Sequence, residues 1–258
     1  MIEHKAVDEA LTLTRRLRAS GVRHLVADRL LGWSALGPVY MGLDSRVDQP
    51  VLIRLVDSDL AYDIGSEEFL RGVADTEEVL GTVVLDPSPE TGQGAVCSLS
   101  PFRQPERLVD RLGQLSPPSI EEVTSVVRET ARALAQAHRH GPTRSEVRLD
   151  DLYVVGGRIV LTTPPGESHG LPGGSDAVRS LATVAIDLYS RIPWASPEVW
   201  AMRRARLEPI AAGEEAPSLE GFVRLIEDLG SGTGGGHRSR SSIVSRIMTK
   251  IRGRHGAE

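Results

Sequence analysis

A change of hydrophobic period partway along the chain constrains its fold more than any other feature. From His24 the apolar residues come in short runs, LVADRLLG, PVYMGLD and PVLIRLVD, punctuated by Gly, Pro and Asp. Runs of that length bounded by turn residues read as strands, and three in succession predict an antiparallel set. Two more short strands are predicted over 82–86 and 94–99. Between these and the first three lies a helix over 66–79, with Ser66 as N-cap and Glu67 and Glu68 in its first turn. After Pro101 the period becomes helical. A short helix is predicted over 105–112. A long one follows Pro117 and Pro118, with Ile120, Val123, Val127, Thr130/Ala131, Leu134 and Ala137/His138 on one face and a stop at Gly141-Pro142. A single hairpin interrupts the helices, 152–155 and 158–161 joined by Gly156-Gly157. Residues 163–174 are rich in Pro and Gly and read as loop. Residues 175–191 and two shorter segments within 196–229 read as helices.

The ends differ from this body. Residues 6–19 predict a helix with Val7, Leu11, Leu13 and Leu17 roughly on one face. Residues 230–236 (GSGTGGG) read as a flexible linker. Beyond it, Ile243, Val244, Ile247, Met248 and Ile251 form an apolar stripe on a predicted helix over 241–252. Arg238, Arg240, Arg246, Lys250, Arg252 and Arg254 add positive charge, and Ser239, Ser241, Ser242, Ser245 and Thr249 are candidate phosphorylation sites. Residues 237–258 thus hold six basic residues and one acid, whereas residues 1–236 hold 24 basic and 34 acidic ones. A basic amphipathic tail on an acidic body suggests contact with an anionic membrane surface or a groove on a partner; a purely solubilising tail is the alternative. Nucleic acid is not an expected partner, because no aromatic residues interleave the arginines.

One cysteine, Cys97, excludes an intrachain disulfide framework or cysteine metal cluster and suits a reducing compartment. The charged N-terminus lacks the apolar core of a signal peptide, and no apolar run is long enough to span a bilayer. A cytoplasmic location is expected, with association at the inner membrane face as an option through the tail.

Several segments carry a resemblance: ALAQAHRHG at 133–141, the stretch 147–154 running into the hairpin, Gly32-Trp33-Ser34-Ala35-Leu36-Gly37-Pro38-Val39, and Val51-Leu52-Ile53-Arg54. Together with the order of the elements, a β-rich part followed by a helical part containing one hairpin, they resemble the bacterial eukaryotic-like Ser/Thr protein kinases across residues 22–229. The resemblance implies an α+β, bilobal protein-kinase-like fold, with a small antiparallel N-lobe over 22–100 bearing one helix and a mainly helical C-lobe over 101–229. Residues 1–21 are then a helical extension, 230–236 a linker and 237–258 a tail.

The family's chemical parts are altered unequally. In the glycine loop, G-x-G-x-x-G-x-V, Gly32, Gly37 and Val39 match while Ser34 replaces the middle glycine; an ordinary strand turn would suit the same glycines. Arg54 stands for the strand lysine, with a paired or edge-solvated arginine as the alternative. The catalytic-loop motif H-R-D-L-K-P-x-N falls on Arg144-Ser145-Glu146-Val147-Arg148-Leu149-Asp150-Asp151, so Glu146 replaces the catalytic Asp. Asp151 replaces the metal-binding Asn, or is simply a turn-forming Asp. The metal-binding D-F-G falls on Thr162-Thr163-Pro164, without a carboxylate, and the activation segment is shortened. Ser196-Pro197-Glu198 reads as a helix N-cap with Pro at N1. The resemblance also implies Asp176 as the buried anchor of the central C-lobe helix.

The combined losses imply a catalytically inactive pseudokinase, a regulatory or scaffold protein acting through protein partners in bacterial cell-envelope signalling. It would have no metal, no catalytic residues and no expected ATP binding. The alternatives are an atypical nucleotide-binding or weakly active Ser/Thr kinase and a peripheral membrane adaptor docked by its tail.

Overall fold

The computed structural model describes residues 2–57, 80–87, 94–114, 117–139, 146–156, 158–162, 174–194 and 196–231. The helix read over 66–79, Thr163 and the tail from Arg238 to Arg254 lie outside the described residues. What is described is an α+β fold with an eight-stranded antiparallel sheet and six α-helices.

The strands are β1 (Leu25–Ser34), β2 (Gly37–Asp44), β3 (Gln49–Asp57), β4 (Gly81–Leu85), β5 (Ala95–Pro101), β6 (Glu106–Arg107), β7 (Leu152–Val155) and β8 (Arg158–Leu161). They lie in the order β4-β5-β3-β2-β1-β8-β7-β6. The helices are α1 (Ile2–Ala19), α2 (Leu108–Gln114), α3 (Ile120–Arg139), α4 (Gly174–Ser190), α5 (Pro197–Ala212) and α6 (Leu219–Ser231). α6 therefore takes in Gly230 and Ser231, the first two residues of the stretch read as linker.

Strand alternation divides the first part. On β3, Val51 and Ile53 face α1, and Leu52, Arg54 and Val56 face the other way. α1 closes the first face by burying Ala10, Leu13 and Leu17 against Leu25, Tyr40, Ile53, Leu85 and Cys97. The buried stripe is therefore 10, 13, 14 and 17. Val7 and Leu11, read as part of the buried face, are 44% and 46% exposed, because the sheet meets the helix one residue round from them. Thr14 completes this contact. The register of β1 against β2 slips between Ala27 and Arg29, and the Thr14 hydroxyl serves the peptide groups beside the bulge: it accepts from the Ala27 N–H (2.9 Å) and donates to the Ala27 carbonyl (3.2 Å).

The second core lies among α3, α4, α5, α6 and the β7–β8 hairpin, with Val127, Leu134, Leu152, Leu181, Leu188, Phe222 and Ile226 at its centre. α3 starts at a capping box. The Glu122 N–H donates to Ser119 Oγ (3.2 Å), and the Ser119 N–H donates to Glu122 Oε2 (2.7 Å). α5 starts as read, with the Ser196 hydroxyl accepting from Val199 N–H and Pro197 in the first turn, and it ends at Gly213, φ 81°.

The β7–β8 hairpin does not stand apart from the first strands. Trp33 of β1 pairs with Leu161 of β8, so both strand groups belong to one sheet.

Candidate functional site

The positions singled out in sequence fall at two places: the join between the glycine hairpin and β8, and the short turn that leads into β7.

At the join, β1 and β2 are connected by the two-residue turn Ala35–Leu36, with Ser34 opposite Gly37. Ser34 is fully buried and fills the turn from within. Its hydroxyl donates to the Gly37 carbonyl (2.9 Å) and accepts from the Leu36 N–H (3.4 Å). Gly32 lies with φ 154° against the end of β8, where a Cβ would overlap the Leu161 carbonyl oxygen and approach Val160 Cγ1 to 2.8 Å. Gly37, φ 142°, is equally constrained by the Leu55 carbonyl. Both glycines are thus required by close approach of backbone to backbone. Beneath them Val39, Leu52, Val155 and Val160 form one buried apolar cluster joining β2 and β3 to β7 and β8, with Leu31, Phe102 and Tyr153 around it.

Arg54 lies on the same face of β3 as Leu52 and is only 2% exposed. Its register partners are Val39 and Ser98, and β3 is an interior strand between β2 and β5. The edge-solvated alternative is therefore excluded; a guanidinium buried this deeply must be held by polar partners.

At the turn, Glu146 is exposed and pairs with Arg148 (3.3 Å). The Asp151 carboxylate accepts from the Arg148 N–H (3.0 Å) and the Asp151 N–H donates to the Arg148 carbonyl (3.0 Å), which closes the turn at Leu149–Asp151. The Asp151 carbonyl also accepts from Thr162, from N–H (2.9 Å) and hydroxyl (3.1 Å). Asp151 thus shapes the entry to β7 and ties it to the end of β8. Asp150 is engaged by Arg107.

The central helix is anchored differently from the expectation. Asp176 is exposed in the first turn of α4 and pairs with Arg179 (3.2 Å), so it is not a buried anchor. Ser180, one turn further on and 8% exposed, takes that place: its hydroxyl accepts from the Val147 N–H (2.9 Å) and donates to the Ala177 carbonyl (2.9 Å). The available signal was a hydroxyl inside the otherwise apolar stripe of Val178, Leu181 and Val184. A further feature that sequence reading missed is an open groove of about 400 Å³ between residues 146–149, α4 and Ala211.

Burial pushes the Cys97 thiol up to about 12, so it stays protonated and inert. Trp194 stacks on Trp200 (5.6 Å) and lies under Arg203 (4.8 Å), and its indole N–H donates to the Tyr189 carbonyl (2.9 Å), a packing role. Among the described residues no group of three or more His, Cys, Asp or Glu side chains could hold a metal ion, and no helix is long and apolar enough to cross a membrane.

No protein-family model matches this chain, and no curated protein matches it in sequence.

Proposed function

We propose that this chain is a kinase-fold protein that does not transfer phosphate and works by presenting surfaces to protein partners. One observation carries the reading: the glycine hairpin rests directly on the end of β8. Phosphoryl transfer needs nucleotide phosphates beneath that hairpin, with a metal ion bridging them. In this chain the Gly32 backbone meets Leu161, the Ser34 hydroxyl takes up the polar groups of the turn, and four apolar side chains pack below. Opening that space would require breaking the Trp33–Leu161 pairing and exposing a packed cluster to water.

The residues at the turn support the same reading. Glu146 is engaged by Arg148, and Asp151 is used to close the turn. The test is thermal unfolding of the full chain with millimolar ATP, alone and with Mg²⁺ or Mn²⁺. A ligand at roughly a hundredfold excess over its Kd stabilises by about 2.7 kcal/mol. The expected result is no change in Tm under any condition, and a metal-dependent rise of several degrees would overturn the proposal.

A further inference from the structure

The two edges of the sheet are finished differently. At one edge β6 has only two residues, Glu106 and Arg107, and both are in ion pairs, Glu106 with Arg111 (2.8 Å) and Arg107 with Asp150. Shortness and charge keep a sheet edge from pairing with another chain. At the other edge β4 has the sequence GTVVL and its neighbour β5 AVCSLSP. Neither strand holds a charged residue, and the only proline is the last residue of β5. Val83 and Leu85 turn toward α1 and its core. Thr82 and Val84 alternate with them on the opposite face, where Val84 is 75% exposed; Leu80, just before the strand, is 58% exposed. The edge is held at both ends. The Leu80 N–H donates to the Leu99 carbonyl (2.8 Å). Past the other end, the Asp86 N–H donates to Ser20 Oγ (3.0 Å) and the Asp86 carbonyl accepts from Arg16 of α1 (3.4 Å). Among the described residues, Gly81–Leu85 pair with β5 and make no hydrogen bond beyond it. An edge strand directs alternate N–H and C=O groups away from its neighbour, so β4 presents a fixed, uncharged row of donors and acceptors.

Those groups select an extended strand, and β4 is itself such a strand. Two copies of β4 set antiparallel about a twofold axis perpendicular to the sheet satisfy each other's outward groups. Both α1 helices then lie on one side of the joined sheet, and Thr82 and Val84 of one copy lie beside the same residues of the other. Like charges directly opposite each other oppose strand pairing, and none meet across this edge. Pairing β4 with β6 of another copy would give an open head-to-tail chain, and the charged, two-residue β6 offers no length for it. The self-paired edge closes instead. We infer that the chain forms a twofold dimer by antiparallel pairing of β4 with β4 of a second copy, joining two eight-stranded sheets into one. Five residues a side make a small interface beside the standard of about 1,600 Å², so the dimer exchanges with monomer. This inference rests on β4 and does not depend on how the glycine hairpin is closed.

Sedimentation velocity of the full chain, from micromolar to near-millimolar concentration, should show a reversible monomer–dimer equilibrium. Val84→Lys, at an exposed site, should leave the far-UV circular dichroism unchanged and abolish the dimer, because it sets like charges across the axis. Thr82→Cys and Val84→Cys, oxidised separately and as a mixture, should form interchain disulfides. Opposed Cα atoms of antiparallel strands lie about 4.5–5.5 Å apart, within disulfide reach. The native Cys97 is fully buried with its thiol protonated and stays silent. Val47→Cys, 59% exposed in the turn between β2 and β3, is the control, and the β4 variants should oxidise on the order of tenfold faster, given the effective concentration within a dimer. A monomer at every concentration would overturn the inference and leave the edge to a strand of a different protein. A dimer that survives Val84→Lys, or equal oxidation at β4 and Val47, would place the contact elsewhere and overturn it as well.

Discussion

Ser34 shows how one side chain changes what a loop can do. A glycine at that position would leave the turn's N–H and carbonyl groups for a ligand or water, whereas the serine hydroxyl takes up two of them from within. The substitution was visible in sequence, but its effect was not, because it depends on burial. The same holds for Asp151 and Arg54, for which sequence left two readings each. Geometry favours the turn for Asp151 and a held, buried cation for Arg54. His138 carries the prediction at this scale. It sits in the last turn of α3, its Nε2 buried without a hydrogen-bond partner, and burial lowers its pKa from 6.5. The unfolded chain therefore binds the proton more tightly than the folded one. The stability involved is fully present above the ordinary histidine pKa and is lost as pH falls below about 6.5. His138→Leu should reduce the drop in urea midpoint between about pH 7.5 and about pH 5.5 relative to the parent chain. An unchanged pH dependence would place the effect on another group.

At the scale of elements, periodicity located most of the helices and strands but was less secure on which face is buried. α3 was legible because its stripe is continuous and Val123, Val127, Thr130, Ala131, Leu134 and Ala137 all go inward. α1 was legible as a helix, but its apolar residues cover more than one face and only the sheet decides between them. Val7 and Leu11 are left in solvent while Ala10, Thr14 and Leu17 are covered. The joining of β1 to β8 had no signature, since a single backbone pairing between residues 128 positions apart leaves no periodic trace. The face of α1 is directly measurable. Leu13→Ala removes a side chain 2% exposed and should cost about 2–5 kcal/mol in chemical denaturation, against a change within about 0.5 kcal/mol for Leu11→Ala. Similar costs at both sites would mean that α1 lies on the sheet by another face.

For the whole molecule, the consequence of that join is cooperativity. One core lies between α1 and the first five strands, and the other lies among α3 to α6 and the β7–β8 hairpin. Two cores linked only by chain could unfold separately. Here the cluster of Val39, Leu52, Val155 and Val160 and the Trp33–Leu161 pairing connect them, and α3 runs against β1, β2 and β8 as well. The three tryptophans are well placed to report on this, with Trp33 at the join and Trp194 and Trp200 in the helical core. Urea unfolding followed by fluorescence and by far-UV circular dichroism should give coincident transitions for the parent chain. Gly32→Ala forces a Cβ toward the Leu161 carbonyl at a backbone conformation that disfavours a side chain, a strain of about 1–3 kcal/mol. If the join couples the cores, this one methyl group should lower the fluorescence midpoint ahead of the circular dichroism midpoint and separate the two curves. A uniform shift of both would mean that coupling runs through α3 instead, and no shift at all would mean that the glycine hairpin does not bear on β8.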